Sequence, residues 1–313
     1  MMDAEENTQA GGKVRVGISG WTYPEWRGGF YPKGLVQAKE LAYAARRFSS
    51  IEINGTFYGL KRPESFRRWR DEAPDDFVFA VKAPKYITHT LRLKGCETPL
   101  ANFLASGPLA LGAKLGPFLW QFPKSMRFEH GTFADFLALL PKTADEAVLL
   151  ARRHDAHVEG HVWLEAEGVE RVRHAVEVRH ESFHDPRFTD LLRAHGIALV
   201  VSDAPGWAMM TETTADFVYC RLHGAEELYV SGYDEAALDR WAGKVRLWSA
   251  ENGTKPRDVF VYFDNTYRKM RAPQDALGLA SRFFPEISCR LTAQGDLFLS
   301  QSASNIRSVE YAA

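Results

Sequence analysis

Short stretches with alternating apolar and polar positions recur along this chain, and segments with a helical period separate them. The alternation is clearest within residues 174–183, where Glu177 and Arg179 fall on one side of an extended strand. Val176 and Val178 fall on the other side. A parallel strand covered by helices is normally apolar on both faces, so two charged side chains on one face need partners there. The pattern therefore predicts a strand with one polar face.

Seven further stretches predict strands with a similar alternation and polar positions on one face. The eight predicted strands cover residues 14–20, 50–58, 77–84, 116–123, 174–183, 197–205, 217–224 and 259–265. Helical patterns cover residues 37–48, 64–73, 102–114, 133–140, 144–153, 185–196, 238–248 and 273–284. Strand six ends at Ser202 or Asp203, and residues 206–216 are too short and irregular to predict a full helix.

Alternating strands and helices can form an open doubly wound sheet or a closed barrel, and the polar positions decide between them. In an open sheet both faces lie under helices, where eight polar faces would be costly to bury. In a barrel, one face lines a lumen whose mouth is open to solvent. We therefore predict an α/β fold, a single-domain (β/α)8 TIM-type barrel over residues 14–286, with a helical insertion between strands 4 and 5 at 141–173. Residues 1–13 are predicted to be a disordered N-terminal tail and 287–313 a C-terminal tail.

One set of polar side chains should line the lumen if the alternation holds. It comprises Ser19, Glu52, Asn54, Lys82, Gln121, Glu177, Arg179, Asp203, Arg221, His223 and Asp264. The acidic and basic members balance, so one interpretation is an ion-pair network that only fills the barrel. Branched apolar residues normally fill a barrel without that desolvation cost, which favours a polar-ligand site at the C-terminal mouth.

The cations and the proton-transfer groups in this set indicate particular roles. Arg179, Arg221 and Lys82 could cradle a phosphate or carboxylate, because a guanidinium fork matches paired oxygens. Glu177 and His223 are the expected acid–base pair, and Asp203 is a third catalytic candidate. A packing role for His223 is an equal alternative.

Four aromatic side chains in the loops are candidates for a stacking rim. Trp21 and Tyr23 follow strand one, Tyr58 ends strand two and Phe183 ends strand five. Such rings can stack a base or a sugar at the mouth of a site. Packing of the loops against each other is the alternative interpretation.

The strand ends also carry side chains of the types that a hydrolytic zinc or manganese site needs. These are Glu52, Glu177, His180, Asp203 and His223. Arg179 and Arg221 alternate with them and would repel a divalent cation unless a substrate anion intervened. No cofactor is therefore predicted, and a native metal is the less favoured alternative.

Residues 180–184 match the H-E-x-x-H pattern of zinc proteases, but the match is assigned to chance. The segment follows a strand and runs into Asp185-Pro186, and the residue before a proline is biased away from helical geometry. The histidines 154, 157 and 161 lie in the charged insertion and predict a solvated turn rather than a ligand set.

Composition limits the classes of partner that the sequence predicts. With 39 basic and 40 acidic side chains the chain has no global basic field, so nucleic acid is not indicated as a partner. Three cysteines, widely spaced, argue against a disulfide framework or a cysteine metal site. No apolar run approaches the roughly 18 residues of a membrane span. We expect a cytoplasmic protein with a small polar or anionic ligand and no membrane partner.

Eight motifs, in this order, resemble those of the YecE-like proteins, family 72 of the domains of unknown function. They are GISGWTYPEWRGGFYP, IEINGTFYGL, FVFAVKAPKYITH, KLGPFLWQFP, AVEVRHESF, VVSDAP, YCRLHG and VYFDN. The resemblance covers residues 14 to 286 and implies a TIM-barrel-type fold with no established activity. The motif residues shared with that family are Ser19, Trp21, Glu52, Asn54, Tyr58, Lys82, His89, Gln121, Glu177, Arg179, His180, Asp203, Arg221, His223 and Asn265.

Three functional hypotheses follow. The leading one is an enzyme, a hydrolase or a lyase, acting on a polar anionic or phosphoester substrate at the C-terminal mouth. The second, by fold analogy alone, is a metal-dependent nucleic-acid phosphodiesterase. The third is a non-catalytic barrel that binds a ligand or a partner.

Overall fold

Eight parallel strands close into a barrel in the computed structural model, which describes residues 11–207, 209–250, 256–266 and 271–284. Each strand pairs with the next along the chain, and the last strand pairs with the first. The strands are β1 (Val14–Ser19), β2 (Ser50–Ile53), β3 (Val78–Lys82), β4 (Leu115–Gln121), β5 (His174–Glu177), β6 (Ala198–Asp203), β7 (Phe217–Leu222) and β8 (Asp258–Phe263). The predicted (β/α)8 barrel is confirmed, and the open sheet is not formed.

Helices surround the barrel. The α-helices of the described chain are α1 (Glu40–Ala45), α2 (Gly55–Tyr58), α3 (Pro63–Glu72), α4 (Glu97–Ala105), α5 (His130–Leu139), α6 (Ala144–Ala151), α7 (Pro186–His195), α8 (Glu235–Ser249) and α9 (Arg271–Ser281). Short 3-10 helices occur at Pro24–Trp26, Gln37–Lys39, Pro108–Lys114 and Glu181–Phe183, and a π-helical turn at Tyr86–Thr90. The described residues between β6 and β7 form no helix, as their irregular sequence predicted. Within these ranges no helix combines the length and the apolar composition needed to cross a membrane.

The two faces of the sheet belong to separate apolar clusters. Side chains such as Ile51, Phe118 and Val261 are fully buried between the strands and the helices. A second cluster fills the interior of the barrel with Ala80, Leu119, Ala175, Ala198, Val200, Phe217, Tyr219, Phe260 and Tyr262. On most strands these interior residues precede the polar position of the same face, so the polar side chains are left at the C-terminal mouth.

The helix predicted over residues 102–114 is divided into two elements. Helix α4 ends at Ala105, and Gly107 then adopts a φ of 122°, which side-chain-bearing residues rarely adopt. A Cβ at Gly107 would also lie 2.6 Å from the Cα of Pro63. Pro108 starts a 3-10 helix that runs to Lys114. The prediction was wrong because it followed the apolar pattern through a Gly-Pro break.

The segment between β4 and β5 contains α5 and α6, and residues 152–173 then return to the barrel without a helix or strand. His174, the first residue of β5, anchors this segment. Trp120 donates its indole N–H to Nδ1 of His174 at 3.1 Å, so the proton of the neutral ring lies on Nε2. Nε2 donates to the carbonyl oxygen of Pro141 at 2.7 Å. The predicted tail residues 1–10 and 287–313 lie outside the described residues.

His174 should make the stability of the fold depend on pH. Burial lowers the pKa of His174 to about 4, so an unfolded chain takes up this proton at a higher pH than the folded chain. Stability is therefore lost as the pH falls from about 6.5 towards 4, by about 2 kcal/mol between pH 7.5 and pH 5. In His174→Gln, which keeps one acceptor and one donor, we expect this part of the pH dependence to disappear. Urea unfolding at the two pH values measures it.

The matched control is His157→Gln, at an exposed histidine of the same segment. This variant should lose as much stability between pH 7.5 and pH 5 as the unmodified protein. If His174→Gln also loses the same amount, His174 does not carry the effect.

Candidate active site

Arg221 lies fully buried inside the barrel and contacts three carboxylates. Its Nε and Nη2 donate to the two oxygens of Glu52 at 3.0 and 2.9 Å. Its Nη1 donates to Glu177 at 2.6 Å, and Nη2 lies 3.0 Å from Asp264. Tyr219 completes the cluster by donating its hydroxyl to Glu52 at 2.6 Å. Because all three guanidinium nitrogens already have protein partners, the geometry does not support the expected role of Arg221 in cradling a ligand anion.

These buried charges keep one another ionised. Burial alone would raise the pKa of the Glu177 carboxyl, but the charges of Arg221 and Arg179 outweigh it and hold that pKa well below its usual range. The pKa of Asp264 is lowered in the same way, with Arg221 and His223 opposing burial. A carboxylate with so low a pKa stays ionised at neutral pH. Glu177 therefore cannot serve as the general acid of the expected acid–base pair.

The pairing register arranges the polar side chains in two layers. In a TIM barrel, alternate strands contribute the four side chains of each layer. One layer is formed by Ser19, Lys82, Glu177 and Arg221, and the next layer towards the mouth by Asn54, Gln121, Ser202 and Asp264. Lys82 and Arg221 lie on opposite walls, since β3 and β7 are four strands apart in a ring of eight.

Lys82 is a buried amine without an ionic partner. Its side chain is only 9% exposed, and its Nζ lies over the Phe57 ring, 4.3 Å from the centroid. Within the described chain Lys82 makes no ion pair and its Nζ no hydrogen bond. Burial lowers the pKa of Lys82, and the charge of Arg221 lowers it further against the attraction of the carboxylates. His89 packs edge-on against the same Phe57 ring at 5.2 Å, and burial lowers its pKa to about 4.

His223 lies at the mouth between two carboxylates. Its Nδ1 is 3.0 Å from Asp264, and its Nε2 is 4.0 Å from Glu177. Neither nitrogen has an aligned hydrogen bond to a described residue. The rings of Trp207 and Tyr229 pack against the imidazole at centroid distances of 5.2 and 5.4 Å. A proton taken up by His223 would lie between two negative charges, which suits this ring to accept and return a proton.

Arg179 leaves part of its guanidinium without a partner among the described residues. Its Nε and Nη2 both contact one oxygen of Glu177, at 2.8 and 2.7 Å, and the group lies 4.3 Å above the centre of the Trp207 ring. Its Nη1 makes no hydrogen bond within the described residues. A cavity of about 430 Å³ opens beside it, with His180, Ser202 and Trp207 in its wall. An anion in this cavity could reach the unused edge of Arg179.

Several buried polar atoms of the mouth have no hydrogen-bond partner in the described structure. They are Ser19 Oγ, Asn54 Oδ1, Ser202 Oγ and both ring nitrogens of His223. Buried polar groups are nearly always paired in folded proteins, so a cluster of unpaired ones marks a place that water or a ligand fills.

Two expected site residues face away from the lumen. Asp203 accepts a hydrogen bond from the Trp241 indole of α8 at 3.0 Å, while its neighbour Ser202 occupies the lumen face of β6. The prediction that Asp203 lines the lumen was therefore wrong. Asn265 donates to Asp275 of α9 at 2.7 Å and holds that helix to the end of β8. Neither side chain is placed to act on a molecule inside the barrel.

The expected aromatic rim is not formed as predicted. Trp21 packs edge-on against Trp69 of α3, with ring centroids 5.4 Å apart. Tyr23 donates its hydroxyl to the carbonyl at the end of β1 at 2.6 Å. Phe183 is fully buried among the phenylalanine rings of α5 and α7. Tyr58 is 73% exposed and borders a separate groove near α4. Loop packing accounts for Trp21 and Phe183, whereas Tyr23 also lies near Asn54 and Asp264 at the mouth.

Trp207 and Tyr229 are the mouth residues that sequence reasoning missed. Both lie in loops after strand ends, where no periodicity gives a side chain its direction. The available signal was position alone, because loops that follow barrel strands build the site in this fold. Tyr229 also adopts a φ of 64°, a conformation uncommon for a side-chain-bearing residue.

Gln121 and His180 have local partners. Gln121 lies on the lumen face and donates its Nε2 to the carbonyl of Phe122 at 2.7 Å. His180 accepts a hydrogen bond from the backbone N–H of Ser182 at 3.0 Å. The residues that the structure brings to the lumen and its mouth are Ser19, Glu52, Asn54, Lys82, His89, Gln121, Glu177, Arg179, His180, Arg221 and His223.

The donors expected for a metal do not converge. Across the described ranges, no three His, Cys, Asp or Glu side chains form a group that could hold a metal ion. Asp203 faces α8, and Arg221 occupies the space between the carboxylates. Residues 181–183 form a 3-10 turn and α7 starts only at Pro186, so the H-E-x-x-H match does not lie on an α-helix.

Comparison with known proteins places the chain in a family. A family model described as "Protein of unknown function DUF72" matches residues 15–292. The chain belongs to this family. The resemblance inferred from the eight motifs is thereby confirmed, and the family carries no established activity.

Two relatives are similar to this chain in sequence, and one solved structure is similar to it in sequence and in fold. The UPF0759 protein YecE of Escherichia coli K12 is 29% identical over 191 residues, which are 56% of this chain and 67% of that protein. The UPF0759 protein YunF of Bacillus subtilis 168 is 27% identical over 115 residues, 35% of this chain and 40% of that protein. A DUF72 family protein from Thermotoga maritima has a crystal structure that superposes with a TM-score of 0.67 at 27% identity, covering 87% of this chain and 99% of that one.

Removing the guanidinium should leave Glu52 and Asp264 buried without a contacting counter-charge, and Glu177 with Arg179 alone. In Arg221→Met we expect a loss of about 3–5 kcal/mol in the free energy of unfolding at pH 8. The unpaired carboxylates would then have raised pKa values, and protonating them relieves the repulsion, so the deficit should shrink as the pH falls to 5. Chemical unfolding at both pH values measures it.

The control is Arg187→Met, which removes an exposed pair with Asp185 and should change stability little at either pH. A deficit for Arg221→Met that is the same at pH 8 and pH 5 would contradict the assigned role of the guanidinium.

Proposed function

We propose that this barrel is an enzyme that binds a small anionic molecule at its C-terminal mouth and transfers a proton there. The observation that carries the proposal is the group of unpaired buried polar atoms on Ser19, Asn54 and Ser202, beside the unpaired Lys82. A buried polar group without a partner costs roughly 1–3 kcal/mol. Several such groups facing one space favour a site whose remaining partners belong to a bound molecule.

The cationic groups that lack a protein partner indicate that the ligand carries a negative charge. Arg221 is engaged by Glu52, Glu177 and Asp264, so it orients the acids and is a positioning residue. Arg179 has a free Nη1 at the wall of the 430 Å³ cavity. A carboxylate or phosphate would receive charge-assisted hydrogen bonds from that edge.

His223 is the group that moves the proton in this proposal. Asp264 lies 3.0 Å from Nδ1 and the ionised Glu177 lies 4.0 Å from Nε2, so both carboxylates stabilise the imidazolium that forms. The packed rings of Trp207 and Tyr229 limit the access of water to it. The arrangement suits a lyase or a hydrolase with an anionic substrate.

The phosphodiesterase alternative draws no support from the donor geometry, since its expected ligands are divided between the lumen and the helix side. The non-catalytic alternative shares the ligand site of the proposal and differs from it only in that the bound molecule does not react. Measurements of binding and of product formation distinguish these alternatives from the proposed enzyme.

Arg179→Met should weaken the binding of small anions. The probes are phosphate, acetate, glycolate and pyruvate, with affinity measured by calorimetry and product formation followed by NMR. Losing a charge-assisted hydrogen bond of about 1.5–3 kcal/mol corresponds to roughly 10- to 100-fold weaker binding of whichever probe binds the unmodified protein. Arg179→Lys keeps the positive charge but lacks the forked guanidinium. Its affinity for the probe should lie between those of the unmodified protein and Arg179→Met.

Arg187→Met is again the matched control and should bind like the unmodified protein. Equal affinity in Arg179→Met with an unchanged fold would remove Arg179 from the site. A probe that binds tightly and never reacts during long incubation would show that the barrel is a binding protein and not an enzyme for that probe. Cleavage of a DNA or RNA oligonucleotide, added as a further probe, that appears only with manganese or zinc would favour the phosphodiesterase class instead.

A further inference from the structure

Lys82 differs from Arg221 and Arg179 in making no ion pair with any acid of the described residues. The three carboxylates of the lumen all contact Arg221, and Glu177 also contacts Arg179. Lys82 instead lies over an aromatic face, although it is only 9% exposed. A lysine needed only as a structural counter-charge would be expected to pair with one of these carboxylates.

The surroundings of Lys82 lower the pKa of its amine from the usual value. Burial and the facing Arg221 both lower the pKa of its ammonium group. A guanidinium keeps its charge under such conditions, whereas an amine can lose its proton and become a nucleophile. Lysines desolvated next to another cation are activated in this way when they attack carbonyl groups.

The neighbours of Lys82 include polar groups that could pair with a reacting carbonyl. Ser19 belongs to the same layer of the barrel, and Asn54 belongs to the next layer on the adjoining strand β2. Both carry a buried side-chain oxygen without a hydrogen-bond partner. His89 packs edge-on against the Phe57 ring that supports the amine.

We propose that Lys82 attacks the carbonyl carbon of a small anionic aldehyde or ketone, such as a 2-oxo acid, and forms an imine with it. This inference rests on the proposed function and names its substrate class. The anionic group of the substrate would bind at Arg179, two residues beyond the end of β5, and β5 lies two strands from β3, which is about 10 Å along the sheet. That separation suits a molecule of a few carbon atoms held between two long side chains.

The step balances without another reactant. The neutral amine adds to the carbonyl carbon, the C=O π bond breaks, and a proton moves from the amine nitrogen to the oxygen to give a neutral carbinolamine. One further proton, taken from solvent through His223, goes to the hydroxyl, the C–O bond breaks, one water leaves and a protonated imine remains on Lys82. A protonated imine withdraws electrons from the neighbouring carbon, which is the chemistry that lyases acting on oxo acids use.

Reductive trapping tests the assignment. The full-length protein is incubated with pyruvate or glyoxylate and sodium cyanoborohydride, and peptide mass spectrometry locates the adduct. We expect one adduct per chain, with most of the label at Lys82 and little at exposed lysines, because a lowered pKa leaves a larger neutral fraction of this amine. The rate should rise with pH and level off below the pH at which exposed lysines react.

Lys82→Met and Lys82→Arg should lose the adduct, and Lys33→Met, at an exposed lysine, should keep it. Two substitutions of Lys82 are used so that the test survives if one variant misfolds. The position of the adduct in the unmodified protein can be measured without either variant. Labelling spread evenly over surface lysines, or an adduct that persists in Lys82→Arg, overturns the inference.

Binding of acetate and phosphate, measured separately by calorimetry, distinguishes the two proposals. If these anions bind through Arg179 but no carbonyl compound is trapped at Lys82, the imine is wrong and the anion site stands. If neither binding nor trapping occurs, both proposals fail.

Discussion

The contact between the Arg221 guanidinium and three carboxylates is the constraint on which the rest of the mouth depends. It joins strands β2, β5 and β7 and the residue after β8, all inside the barrel. A guanidinium is never deprotonated in proteins, so the acids around it stay ionised whatever happens elsewhere in the site. Their positions and charges then fix His223, which lies between Asp264 and Glu177.

Much of this barrel could be predicted from alternation alone, because a period of two sends every second side chain to the same face. The method succeeded where the pattern was unambiguous, as at Glu177 and Arg221. It failed on β6, where Leu199 and Val201 alternate with the equally apolar Val200, so either parity looked acceptable. The observed parity turns Leu199 and Val201 towards the helices and leaves Ser202 inside.

The partners of each charge could not be predicted in the same way. Alternation says that Arg221, Lys82 and the acids share a lumen, but pairing depends on the height at which each side chain lies, which is set by register and strand tilt. Trp207 and Tyr229 were missed for a related reason, because their direction comes from loop conformation. The divided helix at Gly107 shows that one backbone dihedral can override a continuous apolar pattern.

The charge balance of the lumen links these findings to chemistry. Glu52, Glu177 and Asp264 face Arg221 and Arg179, so the protonation of Lys82 decides whether the lumen is balanced or carries one excess negative charge. An anionic molecule entering beside a neutral Lys82 would increase that excess. Forming a protonated imine places a positive charge back on the Lys82 nitrogen and offsets the charge of the anion. In a lumen of low effective dielectric this compensation stabilises the imine, while Arg221 holds the three carboxylates in ion pairs of their own.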